Sequence, residues 1–202
     1  MKRYDRAYFD RWYRDPRTRV KSGSDVARKA RMALGVAEYV LGRPVRTVLD
    51  VGAGEAPWRT VLRSERPGIE YTGVDSSPYV VRRFGARRNI LLGEIGRLDE
   101  LELEGPFDLV VCCDVLNYLE TGELRRGLEH VRTLMGGVAY LELFTSADEM
   151  EGDLRHWHYR PTAYYRRLFD RLRLVRCGPH SYVGEALASQ MTTLERVELA
   201  EG

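Results

Sequence analysis

Apolar positions in this chain follow two periods, and the periods take turns. Val48, Leu49 and Val51 form a short, nearly continuous apolar run, as expected of a strand covered on both faces. Similar short runs predict strands over 69–74, 89–92, 107–113, 138–143 and 172–175, and alternation over 190–199 predicts a last strand at an edge. Between them the spacing lengthens to three and four. Val26, Ala30, Ala33, Leu34, Ala37, Val40 and Leu41 predict a helix over 25–41, with Ser24 as N-cap and Gly42 as the stop. Further helices are predicted over 57–64, 78–85, 122–134 and 161–170, the second of them opened by Ser76-Ser77-Pro78. Strand and helix alternating at this spacing imply α/β architecture, a doubly wound, mainly parallel sheet with helices on both faces.

Two stretches break the rhythm. Over 1–14, Tyr4, Tyr8 and Trp12 recur every fourth residue, which predicts a helix with one aromatic face, either a docked cap or a lid. Over 145–160 the chain turns polar and ends in His156, Trp157, His158, Tyr159 and Arg160. No repeat or long linker interrupts the rest, so 1–202 is expected to be one domain with a helical cap over 1–45.

Composition changes this picture little. Apolar residues are 44% and charged residues 31% of the 202, ordinary for a water-soluble domain. No apolar run is long enough to span a bilayer, and the N-terminus has no signal-like segment, so the expected compartment is the cytoplasm. Cys112 and Cys113 are adjacent and Cys177 is distant, a spacing that suits neither a disulfide framework nor a metal site. The net charge of +2 hides an asymmetry: residues 1–31 carry eleven Lys/Arg against four Asp. That basic start leaves a nucleic-acid partner open but does not argue for one.

The candidate chemistry sits at the strand ends. After β-like 47–51 comes Gly52-Ala53-Gly54, where glycines permit a sharp turn and let a ligand approach main chain. The third glycine of a dinucleotide fingerprint is replaced by Pro57, and Asp50 and Glu55 would repel a pyrophosphate. They suit a ligand with positive charge. Asp50, Asp75, Glu94 and Asp114 each end a predicted strand, so a parallel sheet should bring them to one crevice. Asp75 stands at the distance from Asp50 at which a carboxylate meets a ribose diol in nucleotide folds.

With these motifs the chain resembles the class I S-adenosylmethionine-dependent methyltransferases, clearly over 46–143. Val-Leu-Asp-Val-Gly-Ala-Gly is similar to that family's first motif, which implies that Asp50, Gly52, Ala53 and Gly54 surround the methionine part of the cofactor. Tyr-Thr-Gly-Val-Asp-Ser-Ser resembles the second and implies Asp75 and Ser76 at the ribose. Leu-Leu-Gly-Glu-Ile resembles the third and implies Glu94 and Ile95 near the adenine, although the family usually has Asp where Glu94 stands. The run ending in Asp114, Val115 and Leu116 resembles the fourth.

The resemblance implies a Rossmann-like, seven-stranded sheet with an antiparallel last strand. It makes residues 144–202 the acceptor side. It implies S-adenosyl-L-methionine as cofactor and methyl transfer by in-line displacement. Asn117-Tyr118 looks more like small-molecule methyltransferases than nucleic-acid ones. The acceptor is then expected to meet Tyr8, Trp12, Tyr118 and Arg160. His158, His156 and Tyr159 are the candidate bases, histidine because its pKa lies near neutrality. Two alternatives stay open: a module that binds the cofactor without turnover, and an RNA methyltransferase using the basic N-terminus. A nicotinamide enzyme would want the third glycine and, in the short-chain class, a Tyr-x-x-x-Lys pair, and this sequence has neither.

Overall fold

Strand β1 (Thr47–Val51) is buried along almost its whole length, and the architecture is built outward from it. The computed structural model describes residues 4–15, 17–18 and 22–196. β1 pairs in parallel with β2 (Glu70–Asp75) on one side and β4 (Phe107–Cys112) on the other. β3 (Ile90–Leu92) adds beyond β2, and β5 (Met135–Leu141) beyond β4, both parallel. The sheet is completed by β7 (Ser181–Gly184), antiparallel to β5, and β6 (Leu174–Gly178) at the edge, giving the order β3-β2-β1-β4-β5-β7-β6. This is the doubly wound, seven-stranded arrangement expected.

Period-two alternation sorts β1 between two cores. Val48 joins the core under α2 (Gly23–Leu41), α3 (Pro57–Glu65) and α4 (Pro78–Arg88). Leu49 and Val51 join the opposite core, with α5 (Thr121–Leu134) and α6 (Thr162–Leu172). Leu49, Leu62, Leu124 and Leu128 are fully buried, each contributing about 1.5–3 kcal/mol relative to exposure. Among the described residues no helix is long and apolar enough to cross a membrane.

Three elements differ from expectation. α2 begins earlier than predicted, and its cap is Ser22 rather than Ser24. Ser22 has Asp25 three residues on. Its hydroxyl accepts from Asp25 N at 3.2 Å, while Asp25 Oδ2 accepts from Ser22 N at 3.0 Å, a capping box that Ser24 cannot form. The last strand is Ser181–Gly184, followed by a short helix α7 (Glu185–Ala188), and is not the predicted 190–199. There the chain turns into a 3-10 segment, Thr193–Glu195, with Leu194 97% exposed; residues 197–199 lie outside the described residues. Ser181-Tyr182-Val183 is buried throughout and fits between two strands.

At the N-terminus, α1 (Arg6–Phe9) passes directly into a π-helical turn, Asp10–Arg14. Asp15 N donates to Asp10 O at 2.9 Å, a step of five residues. A step of five changes which side chain follows Tyr8 on the inner face: Tyr13 takes the place predicted for Trp12.

Candidate functional site

A cavity of about 770 Å³ opens at the carboxyl ends of β1, β2 and β4. Its floor is the turn after β1. Gly52 adopts φ +76°, and a Cβ there would stand 2.2 Å from Val115 Cγ2. Gly52 N and Ala53 N both donate to Val74 O, at 2.8 and 3.1 Å, which fixes the turn against the end of β2. Gly54 also has positive φ, and Pro57 opens α3 just beyond.

Asp75, 8% exposed, is the carboxylate held most firmly at this floor. Oδ2 accepts from Gly54 N at 2.7 Å and Oδ1 from Ser77 N at 2.8 Å. Each oxygen keeps a further lone pair for a ligand hydroxyl. Burial pushes its pKa up, while the two N–H donors pull it down. Ser77 also caps α4, accepting from Val80 N at 3.2 Å, so the helix start and the carboxylate are set by the same residue.

Of the seventeen other positions expected here, the cavity gathers ten. Gly52, Gly54, Ser76, Glu94, Ile95, Asp114 and Val115 line it, with Tyr8, Tyr118 and His156. Asp114 has φ +62°, a left-handed conformation unusual outside glycine, at the end of β4. Glu94 precedes a 3-10 turn, Ile95–Glu100.

The structure places several predicted residues elsewhere. Asp50 is not at the cavity: it is 2% exposed and accepts from Tyr71 OH at 2.6 Å. Asp50 pairs in register with Gly73, so Tyr71, two positions away on β2, is its diagonal neighbour on the same face. Burial raises the Asp50 pKa to about 7, against the opposing hydrogen bond from Tyr71. Glu55 turns away from the turn and pairs with Arg14 of the N-terminal segment. Ala53 and Leu116 are packed into the two cores. Trp12 lies outside the cavity, with the Arg11 guanidinium 4.8 Å from its ring centre.

The 145–160 segment also divides. His156 lines the cavity with φ +63°. His158 does not: its N–H donates to Asn117 O at 2.8 Å, and its Nε2 stands 3.5 Å from Glu120 Oε1. Tyr159 is 54% exposed and away from the cavity. Arg160 is buried and donates to Leu119 O at 2.6 Å, with Tyr164 beneath its guanidinium. It braces the loop after β4 and is not an anion anchor in the cavity.

Sequence reasoning missed other lining residues: Tyr4, Asp5, Phe9 and Tyr13 of the N-terminal segment, Arg82 of α4, Cys113, and Glu120 and Glu123 at the start of α5. The N-terminal segment is fastened at both ends. Ser77 Oγ donates to Tyr4 O, and Arg14 pairs with Glu55 and Asp10. Burial, then Asp153, Asp75 and Glu123, raise the Tyr4 pKa to about 12; burial raises that of Tyr8 also. Both phenols are neutral near pH 7 and offer ring faces and hydroxyls rather than bases.

Beside the cavity, Cys113 Sγ donates to Glu142 Oε2 at 3.0 Å, and Lys29 pairs with Glu142. Cys113, Asp114 and Glu142 bring ligand-type atoms within 4.8 Å of one another. The Lys29 ammonium supplies charge compensation for the fully buried Glu142.

Comparison with known proteins agrees with this geometry. A family model described as a methyltransferase domain matches residues 25–192. An uncharacterized protein of Synechococcus sp. is 28% identical over 122 residues, covering 57% of this chain and 28% of that protein. The chain therefore spans well under half the length of that curated relative. Among solved structures, Streptomyces venezuelae DesVI has the same fold, with TM-score 0.63 and 16% identity, over 80% of this chain and 93% of that one. CalS10, an amino pentose methyltransferase from Micromonospora echinaspora in its SAM-bound form, gives TM-score 0.56 at 21% identity, over 75% and 62% of the respective chains. A matched family model over most of the chain, on a sheet of this order with its glycine turn at the strand ends, establishes that the chain belongs to the methyltransferase-domain family and has the class I fold.

Proposed function

We propose that the chain is an S-adenosyl-L-methionine-dependent methyltransferase whose acceptor is a small molecule enclosed between the N-terminal segment and the 145–160 segment. The observation that carries this reading is Asp75, held by two backbone N–H groups beside the Gly52–Gly54 turn, with lone pairs free for a ribose diol. The residues present fit the donor. Gly52 and Gly54 leave main chain open to its methionine part, and Glu94 and Ile95 lie along the same wall for its adenine. Bound there, the donor supplies a methyl carbon activated by an adjacent sulfonium.

The chain's own work is then positional. Holding two reactants in line supplies up to about 7–11 kcal/mol in well-oriented cases. Phe9, Tyr8 and Tyr13 line the cavity from the N-terminal segment and give it an aromatic side. His156 is the candidate base that lines the cavity, suited to take a proton from an acceptor nitrogen or hydroxyl. A cavity of about 770 Å³ lined in part by the N-terminal segment suits a compact acceptor better than a nucleic-acid duplex.

Calorimetry with S-adenosyl-L-methionine and S-adenosylhomocysteine tests the reading. Asp75→Ala should weaken both by about tenfold or more, the value of one or two charge-assisted bonds. Equal affinity in the variant, with the fold retained by circular dichroism, would remove Asp75 from the site.

A further inference from the structure

The two walls of the cavity differ in charge. The wall built from β1, β2, β3 and α4 carries Asp75 and Glu94 of the donor side together with Arg82, the one Lys or Arg among the described lining residues. The other wall comes from the N-terminal segment, the loop after β4, the start of α5 and the 145–160 segment. It includes Asp5, Asp114, Glu120 and Glu123 together with Tyr8 and Tyr118. Glu120 is an open carboxylate, its side chain 82% exposed, beside His158. Glu123 is more enclosed: burial and the nearby Glu94 both raise its pKa. Tyr118 is fixed, its hydroxyl donating to Asp153 O at 2.9 Å and its ring edge-on to Trp157 at 5.0 Å.

Carboxylates beside aromatic faces select for one kind of guest. A cation gains from the carboxylates and from the negative face of each ring. An anion meets repulsion from the same groups, and a neutral alcohol gains little from either. Resting on the donor reading above, we propose that the acceptor carries a basic amine, held as its ammonium ion by Glu120, Glu123, Tyr8 and Tyr118, and methylated on nitrogen.

The step balances simply. The ammonium gives one proton to the His156 imidazole or to water. The freed nitrogen lone pair forms the N–C bond to the sulfonium methyl, and the C–S electron pair returns to sulfur.

Three probes with one skeleton and different charges test the assignment: 2-phenylethylamine, 2-phenylethanol and phenylacetate. Each is titrated into the full chain saturated with S-adenosylhomocysteine, at millimolar concentration and neutral pH. The amine should bind about tenfold tighter than the alcohol, and phenylacetate weakest. Glu120→Lys, at an exposed position that does not endanger folding, should weaken the amine and tighten phenylacetate. If S-adenosylhomocysteine does not bind, the donor reading falls and this one with it. If it binds, but phenylacetate equals or exceeds the amine, or none of the three binds, the amine assignment alone is overturned.

Discussion

Two aspartates at opposite rims of one sheet show how the same side chain serves different ends. Asp108, at the amino-terminal start of β4, is clamped by Arg43: Nη1 lies 2.9 Å from Oδ2 and Nη2 2.6 Å from Oδ1. Arg46 N adds a third donor at 2.8 Å. The Arg43 guanidinium holds the Asp108 pKa below its usual range. Asp75, at the carboxyl end of β2, receives two backbone donors but forms no ion pair among the described residues, and burial raises its pKa. A carboxylate compensated by its own chain completes a fold. One left uncompensated at a cavity floor retains capacity for a ligand.

Breaking the ligand-side rim should have the largest effect. Gly52→Val forces a branched side chain to φ +76° and into Val115. It should cost about 1–2 kcal/mol of stability from backbone strain alone and weaken S-adenosylhomocysteine by about a hundredfold, near 2.7 kcal/mol. Calorimetry and thermal melts separate the two losses.

Breaking the structural rim should do the reverse. Asp108→Asn should lower the melting temperature at pH 7 and leave donor affinity unchanged. The Asp108 pKa is lowered by folding, so its contribution is present above the ordinary carboxylate value near 3.8 and fades as pH falls through the folded value. Melts of the variant and parent should therefore converge in acid.

Asp50 sharpens the contrast, because its pKa moves the opposite way. With a folded value of about 7, the native state holds the proton more tightly than the unfolded chain. Ionisation then costs stability progressively as pH rises from near 3.8 to about 7. Asp50→Asn keeps an oxygen for the Tyr71 hydroxyl and removes that cost. Its stability relative to the parent should rise across that window and level off above it.

The smallest effect is expected at the N-terminal segment. The Arg14–Glu55 pair is partly exposed, and such pairs contribute about 0–1 kcal/mol. Arg14→Ala should speed donor release by less than about fivefold, an effect readable by stopped flow. A larger change would mean that the segment does more than cover the cavity.

Much of the fold was legible because its signals are local. The apolar run at 47–51, Ser77-Pro78 before α4 and Gly42 after α2 each act within a few residues. Asp75, Glu94 and Asp114 could be placed together because a parallel sheet brings its strand ends to one rim. Asp50 escaped that logic: it lies one residue before the end of β1, and period-two alternation turns it inward to Tyr71. Trp12 was displaced by a π-helical step that period-four spacing does not reveal. His156 and His158 look equivalent in sequence, yet only His156 reaches the cavity, since the backbone of His158 is tied to Asn117.

By itself the sequence determined the alternation of strand and helix, the glycine turn and the acids around it, because propensity, capping and hydrophobic period are properties of neighbouring residues. Only the tertiary structure decided which acids line the cavity and which are partnered within the fold. It also chose Ser181–Gly184 over 190–199 for the strand between β5 and β6. Those choices depend on what lies across the sheet. A carboxylate's charge state is set by surroundings drawn from tens of residues away, Arg43 for Asp108 and, for Asp50, a burial that outweighs the Tyr71 hydroxyl, and surroundings of that range exist only once the chain has folded.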